Sequence, residues 1–238
     1  MTQDRPELIR LVEAFPEGMR SMAKGDGVMT TGTLVGAGPN SVQAKEKQQR
    51  LILETAKFQE VMKYHRKEPE KALAASRDIP TAILRVRAIT TVARNVDESQ
   101  PDAAKVTIEK CIAALEEMKA PEDRAGGWSG IAMAAGKIKA KDLATKALTK
   151  GVEDIKVLYA KDADPDNPNG APRPMWPSAA AFKALFYQAA KILGTETEGF
   201  LEKIQDPEIQ TLARIEMAGA WLGVQPAQIP IRTFKKKS

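Results

Sequence analysis

Four prolines constrain what this chain can fold into more than any other feature, because each stands where a helix would begin and the same pattern follows each one. Proline fixes φ near the helical value and lacks an N–H, so it suits the first turn of a helix and disrupts the interior. Pro80 heads the run to Arg94, Pro121 the run to Ala135, Pro177 the run to Ala190 and Pro207 the run to Ala220. Thirteen residues after these prolines stand Ala93, Ala134, Ala190 and Ala220, which places an alanine on the same part of each predicted helix. The first interval, Pro80 to Pro121, is 41 residues. The second is 56, and it becomes 41 if the 15-residue run Asp162 to Trp176 is an insertion. The third, 30 residues, does not fit the step.

Upstream of Pro80, Pro121 and Pro207 lie further segments with an apolar face: Glu70 to Asp78, Ala103 to Met118 and Glu196 to Ile204. Helices are therefore predicted in pairs, and a period near 40 built from two helices marks an architecture in which each pair buries its apolar face on the next. Composition agrees with close stacking. The chain has 36 alanines against 12 aromatic residues, so small side chains dominate the apolar set. The predicted fold is all-α, antiparallel helix pairs stacked as a short α-solenoid, with a non-repeating helical bundle as the alternative.

Over roughly residues 41 to 223 the chain resembles helical-repeat proteins of the tetratricopeptide and HEAT type. The resemblance is one of architecture, since the Trp, Leu-Gly and Tyr of the tetratricopeptide consensus do not recur at its fixed steps. It implies a curved scaffold with a concave binding face and transfers no family-specific residue.

The predicted repeat domain, 41–224, is flanked by two other regions. Residues 1–40 combine a helix over 4–23, striped by Leu8, Leu11, Val12, Phe15, Met19 and Met22, with a Gly-rich loop. The glycines of that loop (Gly25, Gly27, Gly32, Gly36, Gly38) lack the Gly-Lys-Ser/Thr of a phosphate loop and read as a linker. Residues 225–238 form a tail with Arg232, Lys235, Lys236 and Lys237. Those four cations account for most of the formal charge of +5 and leave residues 1–231 at +1, which disfavours a nucleic-acid partner. No run of about 18 apolar residues occurs, so no membrane span is expected. No signal-like apolar run follows the polar N-terminus, and a lone cysteine cannot form an internal disulfide. The expectation is a soluble protein, cytoplasm favoured.

Chemistry-bearing residues are sparse. The one histidine, His65, sits at a predicted helix end, where a cation suits the helix dipole. Cys111 reads as a small buried hydrophobe. Asp162, Asp164 and Asp166 alternate as in a calcium loop, but Asn167 and Arg173 occupy the positions where such a loop needs Gly and a bidentate acid. The Gly126-Gly-Trp-Ser-Gly130 run inside a predicted helix calls for an offsetting gain. Close packing of a neighbouring helix is favoured, and a groove beside an exposed Trp128 is the alternative.

The functional expectation is a non-enzymatic scaffold binding a protein or peptide without cofactor or metal. Its candidate binding residues are Trp128, Arg85, Arg87, Arg124 and Arg214, with Arg94 beside them. The alternatives are an enzyme using carboxylates such as Glu122, Asp123 or Glu216 near Trp128 and Trp221, and a nucleic-acid-binding helical repeat.

Overall fold

The computed structural model describes residues 42–164 and 175–223, which contain helices and no strand. The order is α1 (Val42–Tyr64), α2 (Pro69–Arg77), α3 (Ala82–Arg94), α4 (Pro101–Glu116), α5 (Pro121–Arg124), α6 (Trp128–Lys137), α7 (Lys141–Asp162), α8 (Pro177–Leu193) and α9 (Pro207–Trp221). A 3-10 turn, Ala125–Gly127, joins α5 to α6, and a 3-10 segment, Gly194–Lys203, lies between α8 and α9. The 1–40 region, residues 165–174 of the insertion with Asp166, and the basic tail lie outside the described residues.

Proline opens α2, α4, α5, α8 and α9 at the first helical turn. Pro80 is the exception among the four prolines of the pattern, since α3 begins at Ala82 behind an extended N-cap at Thr81. The reason lies in the preceding residue. Ile79 is fully buried, and its carbonyl accepts bonds from Arg85 Nε at 2.9 Å and Nη2 at 2.7 Å, which pin the turn two residues before the helix. Pro69 and Pro101 initiate helices in the same manner as Pro121, Pro177 and Pro207.

Each helix packs chiefly on its neighbours in sequence and on the helix one unit further along. The first helices of successive pairs are bridged by Glu70–Lys110 and by Arg77–Glu117 at 2.8 Å, both joining residues 40 apart, from α2 to α4 and to the cap residue that follows it. Among the second helices, a Cβ on Gly127, the residue that caps α6, would meet Val86, and one on Gly130 would meet Thr90, offsets of 41 and 40 between α3 and the start of α6. Gly136 of α6 lies against Ile192 of α8, an offset of 56 that reproduces the Pro121-to-Pro177 interval. Equal offsets at both ends of a contact require parallel stacking of like helices, with the partner within each pair running back.

The third pair is α7 with α8, divided by the 162–176 run; α7 supplies the first helix that the sequence pattern leaves unassigned. The last unit is shorter because its first element, predicted as a helix over 196–204, is the ten-residue 3-10 segment. That shortening accounts for the 30-residue interval before Pro207. Ala93, Ala134, Ala190 and Ala220 are all buried, as the common offset predicts. Helix axes can approach where alanine and glycine replace larger side chains, and Trp128, Phe182 and Phe186 fill the wider gaps.

Candidate functional site

The five residues expected to line a binding face divide into two sets. Trp128 and Arg124 belong to the interior. Trp128 is fully buried, and its Nε1 donates to Asp154 Oδ2 at 2.6 Å. Asp154, itself 4% exposed on α7, also accepts from Arg124 Nε at 2.6 Å and Nη2 at 2.9 Å. Arg124 Nη1 donates to the Met118 carbonyl at 2.6 Å, and the paired carboxylate holds its guanidinium above the ordinary arginine range. One buried carboxylate therefore ties α7 to α5, to α6 and to the end of α4. The groove reading of Trp128 is corrected accordingly, and packing explains the glycines around it: Thr90 stands over Gly130, and Leu115 and Val86 over Gly127.

Arg85 is half-buried and engaged with the Ile79 carbonyl, so it serves the turn before α3 rather than an open face. Arg87, Arg94 and Arg214 are exposed. The Arg87 guanidinium lies 5.6 Å from the centre of the Phe58 ring of α1, a cation–π contact that orients it along the surface.

The exposed stripes of the second helices run together. On α3 they carry Ile83 and Arg87 with Arg94, on the 3-10 turn before α6 Gly126, on α6 Lys137 flanked by the partly buried Met133, and on α8 Ala180, Ala184 and Lys191. Thr91, Arg94 and Asn95 of the α3 end face Met133 and Lys137 of α6 across a recess of about 400 Å³. Lys137 Nζ lies 3.3 Å from Glu98 at its rim. Arg94, Lys137 and Lys191 each occupy the last turn of their helix, where they oppose the negative end of its dipole. Arg94 was among the sequence candidates. Met133 and Lys137 carry no such signal in the sequence, because their convergence with Arg94 depends on the 40-residue stacking.

The first-helix face differs in kind. Ion pairs bridge α2 to α4, α4 to α7 through Lys105–Asp142 at 2.7 Å, and α7 to the 3-10 segment through Lys141–Glu196 at 3.3 Å. Lys105 holds the Asp142 carboxyl below its ordinary range. Such exposed pairs contribute ~0–1 kcal/mol each. Their value is to show that this face is bridged from one unit to the next.

The remaining candidates are dispersed. Glu122 lies 3.7 Å from Lys161, Asp123 is exposed beside it, and Glu216 is two units away on α9 with the half-exposed Trp221. Trp176 stacks at 5.6 Å, tilted, on Tyr159. His65 Nδ1 is 2.7 Å from the Met62 carbonyl, a local helix-end bond. Cys111 is buried, and burial pushes its thiol up to about 12. Asp162 accepts from the Ser178 backbone N–H at 2.9 Å and so closes the base of the insertion onto the first turn of α8; Asp164 is exposed. Among the described residues no three His, Cys, Asp or Glu side chains gather as a metal site, and no helix is long and apolar enough to cross a membrane. Comparison of the chain with protein-family models, with curated proteins and with solved structures finds no match.

Proposed function

We propose that the chain is a binding module of the helical-repeat kind, in which the combined face of α3, α6 and α8 holds a protein or peptide partner. The observation that carries this reading is the segregation of the two faces. First helices carry ion pairs from one unit to the next, with Val106 and Val157 exposed among them, whereas α3, α6 and α8 are joined by no ion pair among the described residues and expose Ile83, which is 75% accessible, together with the alanines of α8. A face of small and apolar side chains is shallow and close to the backbone, and a rigid scaffold presents it without the ordering cost that a flexible surface incurs on association. The tetratricopeptide or HEAT likeness belongs to this same proposal, as a likeness of stacking and use.

Site-specific photo-crosslinking tests it. A photoreactive residue at Ile83 or Ala184, introduced into the protein in its native host, is expected to yield a discrete polypeptide adduct, while the same residue at Ala113 on α4 yields none. Equal adducts at all three positions, or none at any, would contradict the reading.

A further inference from the structure

The charge of the second helices goes further than their shape. Helices α3, α6 and α8 contain Arg85, Arg87, Arg94, Lys137, Lys183 and Lys191 and not one Asp or Glu. Helix α4 carries Asp102, Glu109 and Glu116 beside Lys105 and Lys110, and α7 is similarly mixed. In a protein whose residues 1–231 are close to neutral, helices α3, α6 and α8 thus present cations with no acid of their own, whereas α7 mixes five lysines with four acids and α9 carries Glu208 and Glu216 beside Arg214. On the proposed binding face, Arg87 and Arg94 are presented by α3, Lys137 by α6 and Lys191 by α8. Only Lys137 has a carboxylate at ion-pair distance among the pairs described, the rim residue Glu98.

From this, and resting on the binding-module reading, we infer that the partner is an acidic polypeptide segment whose carboxylates alternate with apolar side chains. Arg94 and Lys137 flank the recess at the ends of α3 and α6 and receive a carboxylate there, with the Thr91 hydroxyl and the Asn95 amide as neighbouring polar groups. Met133 floors the same recess, and Ile83 with the α8 alanines supplies apolar contact on either side of it. Arginine suits this role because its planar fork can meet a carboxylate bidentately. A nucleic acid fits less well. The exposed stripes of α3, α6 and α8 carry no aromatic ring for a base to stack on, and the cations are interrupted by apolar residues rather than tracking a phosphate backbone.

The test uses the full chain and three fluorescent probes: a short peptide alternating Glu with Leu, the same peptide with Gln for Glu, and a single-stranded RNA of similar length. The Glu peptide is expected to bind, more weakly as salt rises, and the Gln peptide to bind at least about tenfold more weakly. Reversing the recess with Arg94→Glu and Lys137→Glu should cost a further factor of about ten or more, while Lys146→Glu and Lys156→Glu on α7, which change the net charge equally, should cost less than about twofold. Thermal melting shows whether each variant folds. If the reversed protein does not, Arg94→Gln with Lys137→Gln makes the same comparison. Failure of the Glu peptide to bind, equal binding of the Gln peptide, equal losses on the two faces, or preferential binding of the RNA would each overturn the inference. Adducts at Ile83 and Ala184 but not at Ala113 would still stand in that event, so the partner's class and the binding role fail separately.

Discussion

Asp154 is the residue on which the centre of the molecule depends. It lies on a helix whose other charges, Lys150, Glu153 and Lys156, look outward, so its sequence context reads as a solvated face. The fold turns it inward against Trp128 and Arg124. Removing one partner of a buried charge network leaves the others desolvated and unpaired, so Asp154→Ala should lower unfolding free energy in urea by about 3 kcal/mol or more. Asp154→Asn keeps an acceptor for the indole and should cost less. Glycine provides a second contrast at this scale. A Cβ at Gly151 would overlap Leu185 Cδ2 and stand 2.9 Å from Trp128 Cβ, whereas one at Gly126 meets nothing within 4 Å. Gly151→Ala should therefore destabilise by ~1–3 kcal/mol despite the better helix former, and Gly126→Ala should be neutral or stabilising by up to ~1 kcal/mol. Thermal or urea melts of the two variants distinguish them; equal effects would refute the close approach. The run around Trp128 announced such packing in the sequence, but Gly151 is a lone glycine in a charged helix, and only its neighbours reveal what it is for.

At the scale of the element, helix starts were legible where proline marks them and helix type was not. Pro121, Pro177 and Pro207 are read correctly because a missing N–H costs nothing in a first turn. Helix α7 carries no proline start of its own, and the insertion separates it from the proline of its partner α8. Thr195, Thr197 and Gly199 in the 3-10 segment are weak α-formers, and their presence there was a signal of departure from the regular helix. Helix α1 is joined to the stack by several polar contacts, among them Lys57 with Asp78 at 3.0 Å and a set centred on Glu54: Thr81 donates its hydroxyl to Glu54, and Arg50 Nε donates to Glu54 at 3.1 Å. The Thr81 bond, then Arg50, holds the Glu54 carboxyl below its ordinary 4.5, against the opposing effect of burial. A carboxyl lowered in the folded state stabilises fully above the unfolded value and loses that contribution as pH falls through the folded one. Stability should thus decline below about pH 4.5. Thr81→Val should make that decline shallower relative to wild type in urea melts at neutral and acidic pH; an unchanged pH profile would show that this contact does not couple α1 to α3.

For the whole molecule, the 41-residue step between prolines and the 40-residue step between ion-paired side chains are the same quantity seen twice. The first is a property of the sequence. The second is a property of stacking, and it converts scattered residues such as Arg94, Met133 and Lys137 into one surface. That conversion explains why the architecture could be read from the chain while the recess could not: three residues on two helices become neighbours only once the units are placed side by side. It also gives the most direct test. Zero-length carbodiimide coupling joins amines to carboxylates already in contact, so peptide mapping of the monomer should find Glu70–Lys110, Asp142–Lys105 and Glu196–Lys141 links, one across each successive pair of first helices. Absence of these links, with coupling instead between α2 and α7 or the 3-10 segment, would contradict stacking in sequence order and with it the single face on which the binding account rests.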